Sequence, residues 1–171
     1  MNDVSAELLD VVDINDQVIG VKTRGEIHAQ GLMHRAVHIL VFNADKELFL
    51  QKRSMSKDEA PGLWDSSAAG HVNSEEEYLE CACREIEEEL GIQIDKPLRY
   101  LFHNNPCPKN GMEHCEIYRY RHDDEMVLQA SEIDEGLWID QQTMTQRVNE
   151  DDPILTDVVK RIWKQYIKGP I

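Results

Sequence analysis

The chain has 171 residues, 41% of them hydrophobic and 30% charged, enough for about one domain with a real core and too apolar for wholesale disorder. Lys and Arg number 18 against 33 Asp and Glu, a formal charge of −15, which excludes a broad basic face for a nucleic acid polymer. A phosphate-bearing small molecule stays open if a metal ion bridges it to carboxylates.

Residues 8–14 and 17–23 alternate loosely around Asn15-Asp16, which predicts a hairpin over 8–23. Arg35 to Asn43 is apolar and β-branched and reads as a strand; Ala44-Asp45-Lys46 turns the chain, and Glu47 to Arg53 returns as a second strand. Pro61-Gly62 marks a loop before Trp64. Ser74-Glu75-Glu76-Glu77 has the form of a capping box with Ser74 as N-cap, and a helix is expected from Glu75 to Leu90, closed by Gly91. Its apolar stripe is Leu79, Ala82, Ile86 and Leu90. Residues 98–103, 115–121 and 136–139 read as further strands. A last helix is expected over 153–168, with Pro153 at its first position and Ile154, Leu155, Val158, Val159, Ile162, Trp163, Tyr166 and Ile167 on its core face. This order favours a single α+β domain over 1–171, with a mixed β-sheet covered by helices.

The stretch Met1 to Asp10 carries no basic run and no apolar run of signal length, and Ile39-Leu40-Val41-Phe42 is far too short to span a bilayer. Cysteines stand at 81, 83, 107 and 115 without the pattern of a secreted framework. The expectation is a cytoplasmic protein with reduced thiols and no membrane contact.

The informative segment runs from Gly70 to Ile92. Glu85, Glu88 and Glu89 are spaced by three and four, so a helix gathers them on one face, where like charges repel by a few tenths of a kcal/mol per pair. Hard oxygen ligands on a rigid element suit Mg²⁺ or Mn²⁺; a plain solvated face is the bland alternative for any Glu run. The whole segment reads Gly70, five residues, Glu76, seven residues, Arg84-Glu85-Ile86, one residue, Glu88-Glu89, one residue, Gly91-Ile92. Seven fixed letters recur by chance about once in a billion placements.

This pattern matches the Nudix box over 70–92, and the chain resembles the Nudix hydrolase superfamily. The resemblance implies an α/β/α sandwich and a hydrolase of nucleoside diphosphates linked to another moiety, using Mg²⁺ or Mn²⁺. It implies Glu85, Glu88 and Glu89 as metal ligands, with Glu76 at the helix entry supporting the site or touching a second ion. It also implies Arg84 as the structural partner of a glutamate and Gly70 and Gly91 as loop hinges. The general base is not specified by the box. Glu132 or Glu135, before the Trp138 strand, matches the loop that supplies it in many members, with Glu132 preferred; Glu88, Glu113 and Glu116 remain candidates. Arg53 and Lys57 could meet the phosphates. A homodimer is an expectation from the superfamily alone.

The broader pattern also resembles isopentenyl-diphosphate isomerase, through His34 and its strand, Arg53 to Lys57, Pro61 to Trp64 and Gly70-His71. In that enzyme, histidines near His28, His34 and His71 and glutamates near Glu113 and Glu116 hold a metal. The isomerase places a catalytic cysteine where this chain has Ala69, which has no proton to exchange. A hydrolase is therefore favoured over an isomerase, and over a binding module without catalysis, which would tolerate erosion of the box. The set His103, Cys107, His114 and Cys115 fits no common zinc finger.

Overall fold

The computed structural model describes residues 4–169. The first three residues of the stretch read for a signal, and the last two of the expected 1–171 domain, lie outside the described residues.

Two elements stand apart at the start: β1 (Leu8–Val12) and β2 (Val18–Thr23) pair antiparallel, as the hairpin pattern requires. A short helix, α1 (Arg24–Gln30), follows at once. It was not expected, although Thr23 and Glu26 form a capping box of the kind sought elsewhere.

The main sheet is built around β3 (His34–Phe42), flanked by β4 (Leu48–Arg53), β5 (Trp64–Asp65), β6 (Ala68–His71), β7 (Arg99–Asn104), β8 (Glu113–Arg121) and β9 (Ile133–Ile139). The order β5-β4-β3-β8-β7 forms the path, with β6 on β3 and β9 on β4. β3 and β8 run parallel and the other pairs antiparallel, so the sheet is mixed. β6 pairs with the first half of β3 and β4 meets only its end; between them Ser67 bonds the backbone of both β3 and β4.

Alternation along β3 assigns its two faces. Val37, Ile39 and Val41 pack with Cys81, Ala82, Ile86 and Leu90 of α2 (Tyr78–Leu90). Ala36, Leu40 and Phe42 pack with Met144 and Val148 of α3 (Gln141–Asn149) and with Val159, Ile162 and Trp163 of α4 (Asp157–Tyr166). The result is the α/β/α sandwich. Among the described residues no helix is long and apolar enough to cross a membrane.

Two helix starts differ from the pattern reading. α2 begins three residues late, with Glu77 as N-cap and Glu80 accepting from the Glu77 N–H at 3.0 Å. The Ser74 hydroxyl instead donates to Asp10 of β1 at 2.7 Å, and Glu75 adopts a left-handed φ of +68°. Leu79 faces solvent, while Cys81 is buried in the core. α4 begins at Asp157 rather than Pro153, because Ile154 and Thr156 are bonded to the backbone of Trp64 and Thr156 then caps the helix. Ile154 and Ile167, expected on the core face, are exposed.

Candidate active site

α2 carries the acidic cluster, with its C-terminal half beside β6. Glu85 and Glu89 are buried under the sheet end, while Glu88 stands at the exposed rim. Glu89 Oε2 accepts from Gln51 Nε2 of β4 at 2.9 Å and from the Ala69 N–H of β6 at 3.1 Å. Glu85 Oε1 accepts from Arg84 Nη1 at 2.6 Å. Burial pushes the Glu85 carboxyl up to about 8, with the neighbouring Glu89 adding repulsion. Burial likewise pushes Glu89 up to about 7, although the Ala69 N–H, Lys57 and Gln51 all favour its ionised form. Two buried carboxyls whose donors fall short of their charge form a hard-oxygen set that a divalent cation would satisfy.

Arg84 ties this cluster to the helix entry. Its Nε and Nη2 bond both oxygens of Glu76 at 2.8 and 2.9 Å, a bidentate pair, and its Nη1 also reaches Glu88 at 3.2 Å. The Asn73 N–H adds a bond to Glu76 at 2.9 Å, so both Glu76 oxygens are occupied and the residue braces Arg84 instead of facing the cavity.

The two glycines serve different ends. Gly91 caps α2 at φ +65°, the left-handed conformation that glycine favours. Gly70 has no positive φ; it is needed for space, because a Cβ there would lie 2.7 Å from Glu85 Cγ and closer still to the carboxyl group.

Glu85, Glu88 and Glu89 open onto a cavity of about 360 Å³, within the usual range for small-ligand sites. Arg53 and Lys57 line it too. Arg53 donates to the Glu59 carbonyl at 3.0 Å and lies 3.5 Å from Asp65. Lys57 pairs with Glu132, and burial holds its ammonium below the ordinary lysine range. Ser54 N–H bonds the Glu132 carbonyl at 2.9 Å, and Gln129 N–H bonds the Glu89 carbonyl at 2.9 Å. The loop carrying Glu132 is thus tied both to the Lys57 loop and to the end of α2. Glu135 sits exposed on β9, 3.5 Å from Lys52, outside the cavity lining. Gln51, which bonds Glu89, and Arg24, which lines the cavity and whose Nη1 donates to Asp58 at 2.9 Å, had no signal in the sequence.

A second cluster forms where α1, β3 and β6 meet. The His28, His34 and His71 rings lie with centroids 5.0 to 5.3 Å apart. Glu113 Oε1 of β8 is 3.1 Å from His71 Nε2 and 3.6 Å from His34 Nε2. Burial works against ionised Glu113, but His34 and His71 hold it well below the carboxylate range. Burial pulls His34 down and Glu113 outweighs it, raising His34 above the ordinary value. Burial and His71 lower His28. Imidazoles with a carboxylate suit a divalent ion. Glu116 does not join: three residues from Glu113 on a strand, it faces the other side and accepts from the Tyr118 hydroxyl.

The NUDIX domain family matches residues 32–158. An uncharacterized Nudix hydrolase of Pseudomonas aeruginosa is 39% identical over 137 residues, 78% of this chain and 79% of that protein. Isopentenyl-diphosphate Delta-isomerase 1 of Aromatoleum aromaticum is 32% identical over 145 residues, 82% of this chain and 81% of that protein. The crystal structure of DR0079 from Deinococcus radiodurans superposes with a TM-score of 0.81 at 25% identity, covering 93% of this chain and 98% of that one. The MutT protein of Methanosarcina mazei follows the same fold, with a TM-score of 0.68 at 20% identity over 80% of this chain and 94% of that one.

Proposed function

Because the chain belongs to the Nudix hydrolases, we propose that it cleaves a diphosphate linkage in a nucleoside diphosphate derivative by water attack at phosphorus. In this reading Glu85, Glu88 and Glu89 hold Mg²⁺ or Mn²⁺. The observation that carries it is the convergence of these three carboxylates on one cavity, with Glu85 and Glu89 buried and short of compensating charge. The ion, when bound, neutralises the acids and polarises the phosphoryl oxygens.

The remaining work belongs to the chain. Gln51 and the Ala69 N–H pin one oxygen of Glu89, and Arg84 aims Glu85 while Glu76 holds Arg84 in place. Arg53 and Lys57 face the phosphates across the cavity. Glu132 takes the proton of the attacking water, with Glu88 at the rim the acid that would serve in its place. The four free thiols support a cytoplasmic location. A homodimer is tested by solution mass.

The histidine cluster favours a second reading, isomerisation of an allylic diphosphate with an ion held by His28, His34, His71 and Glu113. Ala69 supplies no proton for that step. One experiment separates the readings. The purified chain and its Glu89→Gln variant are incubated with a panel of diphosphate compounds and isopentenyl diphosphate, with Mg²⁺ or Mn²⁺, and products are resolved by chromatography. Cleavage by the parent but not the variant supports the hydrolase. Isomerisation without cleavage overturns it, as does nucleotide binding with no turnover at all.

A further inference from the structure

We propose that His38, Glu113 and Cys115 hold a zinc-type divalent cation of their own, apart from the ion assigned to the α2 carboxylates. The inference does not depend on the hydrolase reading.

All three side chains lie on the α4 side of the sheet, where β3 and β8 run parallel; His38 and Cys115 are buried and the Glu113 side chain is 12% exposed. Their ligand atoms fall within 4.8 Å of one another. Cys115 Sγ is 3.4 Å from Glu113 Oε2. In a tetrahedral zinc site, with Zn–S about 2.3 Å and Zn–O about 2.1 Å, sulfur and oxygen ligands stand about 3.6 Å apart. The pair already has nearly that separation.

His38 Nδ1 lies 2.7 Å from the Ser66 hydroxyl. With Nδ1–H donating to that oxygen in the ion-bound form, the lone pair of Nε2 would serve as the donor to the ion. A ligating histidine whose other N–H is anchored to an oxygen is the usual outer arrangement of zinc sites. Glu113 can serve without leaving the histidine cluster, because its Oε1 faces His71 and His34 while its Oε2 faces Cys115.

The charges also fit. A thiolate and a carboxylate cancel a divalent ion, leaving a neutral group in a buried place. The nitrogen, sulfur and oxygen set is softer than the all-oxygen α2 cluster, so the two sites would sort different metals. His38 and Glu113 both line the cavity that the α2 carboxylates open onto, which gives an ion a path to this place.

The test uses Co²⁺ as the probe on metal-free protein. The parent is expected to show thiolate-to-cobalt charge-transfer absorption in the near ultraviolet together with visible bands of tetrahedral cobalt, and Zn²⁺ is expected to abolish both. The charge-transfer band should vanish in Cys115→Ser and survive replacement of Cys81, Cys83 or Cys107 by Ser, one at a time. Ser66→Ala should weaken Co²⁺ binding about tenfold while the thiolate stays in place. Cobalt bound to folded parent without a charge-transfer band overturns the proposal and assigns the ion to the histidine cluster or α2. A band lost with one of the other three cysteines overturns it as well. If Cys115→Ser fails to fold, those three single variants and Ser66→Ala still decide.

Discussion

Gly70→Ala puts the geometry of the acidic cluster at risk with one methyl group. The new Cβ would stand 2.7 Å from Glu85 Cγ and nearer still to its carboxyl, far inside van der Waals contact. The obstacle is the end of a flexible side chain, so Glu85 can rotate away without moving the backbone. It then loses the 2.6 Å bond from Arg84 and its place beside Glu89. Displacement of an active-site group by an ångström costs about 100-fold, near 3 kcal/mol in transition-state stabilisation. The fold should tolerate the change, because Glu85 is buried at a cost that pushes its carboxyl up to about 8. The assay is kcat/KM with Mg²⁺ on the substrate found by the panel, beside the Mn²⁺ affinity by electron paramagnetic resonance and the thermal midpoint. Glu85→Gln and the double variant complete a cycle. If Gly70 acts through Glu85, the double variant is no worse than Glu85→Gln alone. Activity within about threefold of the parent, full additivity, or an unfolded Gly70→Ala protein would each refute the reasoning.

Further outcomes are expected. Gln51→Leu removes one of two donors that pin Glu89 Oε2 and should weaken metal binding about tenfold without unfolding the chain, since Gln51 Oε1 is buried without a partner; unchanged Mn²⁺ affinity would contradict it. Glu132→Gln should lower kcat by about 100-fold or more with KM little changed, and Lys57→Ala should chiefly raise KM, which steady-state kinetics separates. The metal-free protein should lose stability as pH rises. The Glu85 and Glu89 carboxyls stand near 8 and 7 in the fold against 4.5 as ordinary groups, so the stability they permit is full below about 4.5 and lost by about pH 8. For Glu89 alone the loss is on the order of 3 kcal/mol. Mg²⁺ should then raise the melting temperature more at pH 8 than at pH 5.5, and Glu89→Gln should flatten the profile; a metal-free midpoint that climbs across this range would sink the argument.

The parts of the site legible in the sequence were those set by local spacing. Glu85, Glu88 and Glu89 needed only the period of one helix, and the parity of β3 sorted its core into two faces. What could not be read was decided by partners remote in the chain. Ser74 looked like a cap until its hydroxyl met Asp10, and Pro153 looked like a helix start until Trp64 claimed the backbone beside it. Gln51 sits in an ordinary strand sequence, and only the packing of α2 against β6 brings Glu89 to it. The histidine cluster joins three elements, and the parity that admits Glu113 is the same parity that excludes Glu116. α1, by contrast, is written locally: Thr23 and Glu26 spell its cap.

The electrostatics of the cavity narrow what can enter it. Eight acidic side chains line it against four basic ones. Each of the four is already engaged: Arg24 by Asp58, Arg53 by Asp65, Lys57 by Glu132 and Arg84 by Glu76, Glu85 and Glu88. A diphosphate approaching such a surface meets net repulsion unless positive charge arrives with it or before it. Raising divalent cation should therefore lower KM as well as raise kcat, because the ion is needed for the substrate to dwell in the cavity at all. Raising monovalent salt should not substitute, since screening weakens repulsion between exposed charges but supplies no ligand to phosphate oxygens. Substrate binding measured by calorimetry on Glu89→Gln separates the two effects: binding should fall in the variant even where no turnover occurs. Unaltered affinity in the absence of any divalent ion would mean that Arg53 and Lys57 alone hold the phosphates, and that the carboxylates act only on the chemical step.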